Sequence, residues 1–446
     1  MYLAEAPSID ELGGKLDADA LVATIGAPVD PRTKERYLHW DKLRHLDPPV
    51  GLSSEQWWLQ VKTAREFELR EIPLADSGGN RFRFSLPDSM LRSLHHIDQR
   101  CSGEVAMDEV VTSERRAGRR FLVNSLMEEA IRSSQLEGAT TSRVVAKELL
   151  RSGREPSDRS ERMIVNNYRA LRFMREEMSG ALSPASIFEL HRIVTEGTLD
   201  DPAAGGRLQR PGEPRVAVFD RDDAKPIHVP PPAEQLPERI QRLCEFANES
   251  GEQGQFIHPV MRAVLLHFWL AYDHPFADGN GRTARILFFW SMHARGYWLA
   301  EYLPISRLIR KAPAQYARAF METETDQGDT TYFLIHQLGA IERAIEDLHV
   351  YLQRKISEVQ GIERMLRADD DLNGRQLALL IDAIREADAS YSFDSHAMSH
   401  RVSHETARSD LRGLAERGLL TQRRKGHKYI FEPAPDLPTR LKESPA

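Results

Sequence analysis

Two helix-length apolar runs that meet in a glycine-rich loop constrain this 446-residue chain more than any other feature. The first is HPVMRAVLLHFWLAYD, with Pro259 in its opening turn and Val260, Val264, Leu265, Phe268 and Trp269 at helical spacing. Its other faces are also largely apolar. A helix apolar nearly all round must lie inside the molecule, so further helices have to surround it. After HPFADGNG comes RTARILFFWSMHARG, again apolar and helical. The fold class expected is therefore mainly α.

The flanking sequence supplies those helices. From 115 to 200 the chain reads almost wholly helical, with Gly138, Gly153 and Gly197 where helix ends are expected and Ser183-Pro184 as a helix start. Residues 201–233 break the pattern: RVAVF and KPIHV are short β-like runs around DRDD, a hairpin projecting from a helical body. After two further helices, APAQYARAFMETETDQ and a long one from Asp329, residues 373–433 read as helix, helix–turn–helix with Ser403 as N-cap, then two strands. That is the layout of a winged helix. The division expected is 1–114, of no assigned role; a core over 115–350; a linker helix over 351–372; the winged helix over 373–433; and a disordered tail over 434–446. Within 1–114, SSEQWWLQVKTAREFELREI has helical periodicity, and Trp57 and Trp58 read as core or interface residues.

Composition excludes little. The net charge of -7 gives no global argument for nucleic acid or membrane, and no apolar run is long enough to span a bilayer. Cys101 and Cys244 fit no paired spacing and read as packed free thiols in a reducing compartment. The expectation is a cytoplasmic protein with no membrane partner.

HPFADGNGRTAR carries the chemistry. Gly279 and Gly281 let a ligand approach the main chain. The loop opens into a helix, whose N-terminal N–H groups bind phosphate. Arg282 and Arg285 share a helix face and can reach one anion. Asp278 makes sense if Mg²⁺ sits on the phosphates. His274 is suited to take a proton near neutral pH, and Asn280 to donate to a phosphate oxygen as charge develops. Each residue alone reads as structural; the ordered set describes attack of a hydroxyl on a Mg-bound nucleotide.

At every defined position this stretch matches HPFx[DE]GNGRxxR, the motif of the Fic family, and over roughly residues 115–350 the chain resembles Fic proteins. The resemblance implies a Fic-type helical core with a hairpin flap. It implies protein adenylylation (AMPylation): ATP donates AMP to a Ser, Thr or Tyr hydroxyl of a target protein, or of the chain itself. His274 would be the base and Asp278 the Mg²⁺ ligand. Gly279, Asn280, Gly281 and Arg282 would cradle the α- and β-phosphates, Asn280 and Arg282 acting in catalysis with His274. Arg285 would meet the γ-phosphate and Tyr316 the adenine. The flap, about residues 213–231, would align the target main chain through Lys225, Pro226, Ile227, His228 and Val229. A homodimer is a further partner that the resemblance allows.

SSQLEG ends a predicted helix of about 120–138. Ser133, Glu137 and Gly138 resemble the family's inhibitory motif [ST]xxxE[GN], which implies that Glu137 pairs with Arg285 and misplaces ATP. The resemblance also implies a reverse activity, removal of AMP, in which the same glutamate would orient water. In the C-terminal module, Arg401 to Ile430 holds eight Lys/Arg against three acids. Ser403, His404, Thr406, Arg408 and Arg412 in the recognition helix, and Arg423, Arg424 and Lys425 in the wing, are the candidates for DNA phosphates. Docking of protein is the alternative use of the same module. Two readings compete: an adenylyltransferase with its own recognition module, or a DNA-binding regulator whose Fic core senses nucleotide. The intact His274 favours the first.

Overall fold

The computed structural model describes residues 3–26, 29, 33, 36–101, 115–215, 218–219, 226–249, 255–367, 371–385, 389–425 and 428–443. The chain forms two compact units: Met1–Ala106 with Ser125–Ile345, and Met107–Asn124 with Glu346–Ala446. Both are mainly helical, and the described strands form three separate two-stranded antiparallel sheets.

The first unit opens with α1 (Ile9–Gly13), α2 (Ala18–Gly26), α3 (Trp40–Leu43) and α4 (Ser54–Glu66). Ser53 caps α4 through a capping box with Gln56. The helix predicted to run on to Ile72 stops at Glu66 instead. A hairpin takes over, β1 (Arg70–Ala75) and β2 (Arg81–Phe84), with the alternating burial that a strand shows. Then come α5 (Asp88–Cys101), α6 (Arg115–Leu136), α7 (Arg143–Ser152), α8 (Arg159–Glu176) and α9 (Pro184–Thr195). The flap strands are β3 (Val218–Phe219) and β4 (Pro226–His228). Beyond them lie α10 (Leu236–Asn248), α11 (Pro259–Asp273), α12 (Asn280–Ala294), α13 (Ile305–Lys311), α14 (Pro313–Glu324) and α15 (Thr331–Arg367).

The apolar run of α11 is the centre of this unit, as its sequence requires. Leu265, Leu266, Phe268 and Leu270 are wholly buried. Phe268 joins ring clusters with Phe82 of β2, Phe320 of α14 and Phe333 of α15, at 5.5, 5.0 and 5.0 Å. The N-terminal residues are thus part of the core and not a separate domain. Lys62 and Asp326 form a buried ion pair at 2.8 Å, Arg65 donates to Tyr332 at 2.9 Å, and Tyr37 donates to Asp329 at 2.6 Å. Trp57 and Trp58 are core residues, and Cys101 and Cys244 are free and buried.

The second unit holds α16 (Gly374–Arg385), α17 (Phe393–His400), α18 (His404–Glu416), the hairpin β5 (Leu420–Lys425) and β6 (Lys428–Pro433), and α19 (Leu437–Glu443). Its core gathers Leu379, Leu380, Leu411, Leu414 and Phe431. Two expectations are corrected here. The linker helix expected over 351–372 is, through Arg367, the continuation of α15 and not an element of its own. The described part of the tail is ordered: Leu437 and Leu441 repeat at helical spacing and bury one face of α19 in that core, while 444–446 lie outside the described residues. Among the described residues, no helix is long and apolar enough to cross a membrane.

Candidate active site

Helix α11 ends where its chain turns left-handed at His274 (φ 45°, ψ 54°), whose N–H donates to the Leu270 carbonyl at 3.0 Å. This conformation is uncommon for a residue with a side chain and persists only where neighbours hold it. The His274 ring turns back on the same helix, and Nδ1 lies 3.4 Å from the Ala271 carbonyl. A carbonyl only accepts, so Nδ1 carries the proton and Nε2 keeps its lone pair. Burial pushes the imidazole pKa down to about 4, so the ring is neutral at physiological pH.

The loop between α11 and α12 is stapled from within. The Phe276 N–H donates to Asn280 Oδ1 at 2.9 Å, and Asn280 Nδ2 donates to the Phe276 carbonyl at 2.8 Å. With both amide atoms bonded to Phe276 and its side chain buried, Asn280 shapes the backbone of the loop. Phe276 stacks on His191 at 3.8 Å and 7°. His191 accepts from the Gly206 N–H at Nδ1 (3.0 Å) and donates from Nε2 to the Asp278 carbonyl (2.8 Å). That pattern requires the neutral ring, and burial pushes the His191 pKa down to about 4. Gly279 turns the chain into α12 at φ +84°, and a Cβ there would meet Thr195 Cγ2 at 2.7 Å. Glycine is required on both counts.

The first turn of α12 carries no side-chain cap. The two arginines leave it in different directions and do not converge on one acceptor. Arg282 is buried; it donates to the Val194 carbonyl at 3.1 Å and lies 3.5 Å from Asp278 Oδ2. Burial lowers the pKa of Arg282 against the pull of Asp278 and Glu137. Asp278 also accepts from the Gly279 N–H at 2.6 Å and faces Arg159 at 3.5 Å. Arg285 turns towards α6: Nε donates to Ser133 Oγ at 2.9 Å, and Nη2 donates to the Ser133 carbonyl at 3.2 Å and to Glu137 Oε1 at 2.8 Å. Gly138 comes next at φ +97°, a value open to glycine that ends the helix beneath Glu137. A side chain at Gly281 would collide with Oε1 of Glu137. The carboxylate therefore lies against the helix N-terminus where a phosphate would bind.

Tyr316 reaches the same region from α14. Its hydroxyl pairs with His267 Nε2 at 2.9 Å, and the rings stack at 5.9 Å. Burial raises the Tyr316 pKa and pushes that of His267 down to about 3. Of the flap residues, Lys225 lies outside the described residues, Pro226 and Ile227 form the backbone of β4, and Val229 is exposed. The His228 side chain is buried, donating to the Tyr272 carbonyl at 2.7 Å and pairing with Glu324 at 3.0 Å, while its backbone belongs to β4. Burial disfavours the charged His228 ring, but Glu324 and the Tyr272 carbonyl outweigh this and raise its pKa.

Residues 181–292, from the turn before α9 to α12, match the Fic/DOC family. That segment is similar to a Fic domain. It is 30% identical over 187 residues to the protein adenylyltransferase Fic of Drosophila mojavensis, covering 42% of this chain and 32% of that protein. Over 111 residues it is 39% identical to the protein of the same name from Drosophila grimshawi, covering 25% of this chain and 20% of that one. The chain thus matches about a third or less of the length of these curated relatives. A solved Fic family protein from Desulfovibrio desulfuricans G20 shares the fold, with a TM-score of 0.52 at 19% identity over 78% of this chain and 97% of that one. Sequence reasoning did not find Arg159, His191, Arg215 or Glu129. Each sits outside the motif; the fold brings Arg159, His191 and Arg215 to the loop and places Glu129 close enough to Arg285 to feel its charge. Glu129, for example, is buried on α6, accepts from the Ser306 N–H at 3.0 Å, and has its pKa pushed up to about 7 by burial.

Proposed function

We propose that the Fic domain adenylylates a target protein from Mg·ATP, and that the chain rests in an inhibited state. The hydroxyl oxygen of a Ser, Thr or Tyr attacks the α-phosphorus. The bond from that phosphorus to the bridging oxygen of the β-phosphate breaks, and pyrophosphate leaves with the electron pair. His274 Nε2 takes the hydroxyl proton. The observation that carries this reading is His274, its Nδ1 set 3.4 Å from the Ala271 carbonyl, held one loop away from a helix N-terminus that has no side-chain cap. Backbone N–H groups of the first turn of α12, with Arg282, would bind the phosphates. Asp278 suits Mg²⁺: its carboxylate is 41% exposed beside that turn, and one carboxylate suffices when phosphates and water supply the remaining ligands. Bound Mg²⁺ would offset charge on the leaving pyrophosphate.

Inhibition arises from Glu137. Its carboxylate takes the Arg285 guanidinium and lies against Gly281, so a γ-phosphate cannot settle there without displacing it. The test is AMP transfer from Mg·ATP, read by intact mass, for the unaltered chain, Glu137→Gly, and Glu137→Gly with His274→Ala. Gain of AMP, on itself or on lysate proteins, in Glu137→Gly alone supports base, transfer and inhibition together. No gain with ATP still bound moves removal of AMP ahead, with Glu137 as the residue that orients water.

A second reading concerns the C-terminal unit as a winged helix on DNA. Ser403 caps α18 through Thr406; His404, Arg408, Arg423 and Arg424 are exposed and Arg412 is half-buried, while the Lys425 side chain lies outside the described residues. Loss of DNA retention in Arg423→Ala with Arg424→Ala, with AMP transfer intact, supports it; unchanged retention refutes it.

A further inference from the structure

A helix leaves its last carbonyls without intrahelical partners, and buried carbonyls need donors. At the end of α11 the donors beyond the loop itself come from the two legs of the flap. The Tyr272 carbonyl accepts from His228 Nε2 at 2.7 Å. The Asp273 and His274 carbonyls both accept from Arg215 Nη2, at 2.6 and 3.1 Å. The Pro275 carbonyl accepts from the Gln209 N–H at 2.9 Å. Four successive carbonyls, spanning the left-handed turn at His274, are therefore held by the chain that enters and leaves the flap. Arg215 also ties the legs to each other, since its Nε donates to the Pro231 carbonyl at 2.8 Å and its Nη1 donates to Gln209 Oε1.

We propose that Arg215 is a positioning residue that, with His228, registers the flap against the catalytic base, so that the strand presenting the target and the imidazole accepting its proton move as one piece. This rests on the adenylyltransferase reading for its catalytic consequence and on geometry alone for the coupling. A single planar guanidinium reaches both legs and two carbonyls of the turn, which a lysine, with one donor centre, cannot do. Arg215 contacts neither the first turn of α12 nor Arg285 among the bonds described, so nucleotide binding is not its task.

The test has two arms. Hydrogen–deuterium exchange on the full chain compares the unaltered protein with Arg215→Ala and Arg215→Lys. Faster exchange in both 271–279 and 226–232, with α8 and α10 unchanged, is expected; faster exchange in the flap alone overturns the coupling. In a Glu137→Gly background, AMP incorporation at saturating Mg·ATP is expected to fall at least tenfold in Arg215→Ala, with the KM for ATP within twofold and partial recovery on adding guanidinium. A rise in KM without loss of maximal rate overturns the positioning role. If Glu137→Gly itself transfers no AMP, the functional reading fails, and the exchange arm still decides the coupling.

Discussion

Glu137 Oε1 stands 2.8 Å from Arg285 Nη2 and so close to Gly281 that only glycine fits beneath it. The pair joins the end of α6 to the second turn of α12, two segments 148 residues apart in the chain. Arg285 is 4% exposed in its side chain and Glu137 30%. The arginine is therefore fixed by Ser133 as well as by the carboxylate, and the glutamate is the partner able to swing away.

Glu137→Gln separates charge from shape. The amide still fills the space over Gly281, but its bond to Arg285 loses the ionic contribution. AMP transfer in this variant should fall between the unaltered chain and Glu137→Gly, with ATP bound several-fold more tightly than by the unaltered chain. Stability should change by less than about 1 kcal/mol, because a partly exposed ion pair contributes little. Calorimetric ATP titration and thermal unfolding check both; affinity equal to that of the unaltered chain would show that bulk, not charge, inhibits.

Gly279→Ala should destabilise the first unit by about 1–3 kcal/mol, the range for a strained left-handed residue. Thr195 Cγ2 stands where the new Cβ would go. Adding Thr195→Ser removes that methyl while leaving a hydroxyl for the His191 carbonyl, which Thr195 Oγ1 meets at 2.7 Å. The double variant should recover part of the loss in urea unfolding but not all, since the φ strain stays.

Acid should weaken the fold through its buried histidines. Burial pushes His191, His267 and His274 down to about 4, about 3 and about 4, whereas the unfolded chain protonates its histidines near about 6.5. Below that pH the unfolded state binds protons that the native state does not. Stability is then lost as pH falls, until the folded values are passed. His228 acts in the opposite sense: its raised value contributes stability at low pH that is lost as pH rises through it. The net expectation is a melting temperature that falls between about pH 6.5 and about pH 4. His267→Phe should make that fall shallower. An unchanged slope would remove His267 from the account.

Breaking the Lys62–Asp326 pair should cost about 3–5 kcal/mol, the penalty for one buried charge left alone. Lys62→Met leaves Asp326 with Tyr332 as a neutral donor at 2.7 Å. Because this pair ties α4 to the chain just ahead of α15, chemical denaturation should lower the whole first unit in one transition. A separate early transition of the N-terminal residues would contradict their place in its core.

Leu437→Ala should destabilise the second unit by about 2–4 kcal/mol, as for other buried leucines. A disordered tail would tolerate the change without a measurable shift in the unfolding midpoint.

Much of the site was legible because its chemistry is local. Twelve consecutive residues hold His274, the turn glycines, the carboxylate and both arginines, and the apolar runs on either side could only be buried helices. Ser133, Glu137 and Gly138 were legible for a related reason: their spacing fits the last turn of one helix. The sequence could not show where the loop's donors end up. Asn280 has both a donor and an acceptor, and only the folded loop shows that Phe276 takes them. His228 reads only as part of the flap strand, and the sequence does not show that the C-terminus of α11 and Glu324 draw its side chain inward. The β1–β2 hairpin was hidden because FELREI fits a continued helix as well as a strand, and packing of Phe82 on Phe268 and Tyr272 decides between them. Local spacing therefore determined which groups could do chemistry. Tertiary structure decided their partners, because hydrogen bonds and burial between segments far apart in the chain leave no period in the sequence.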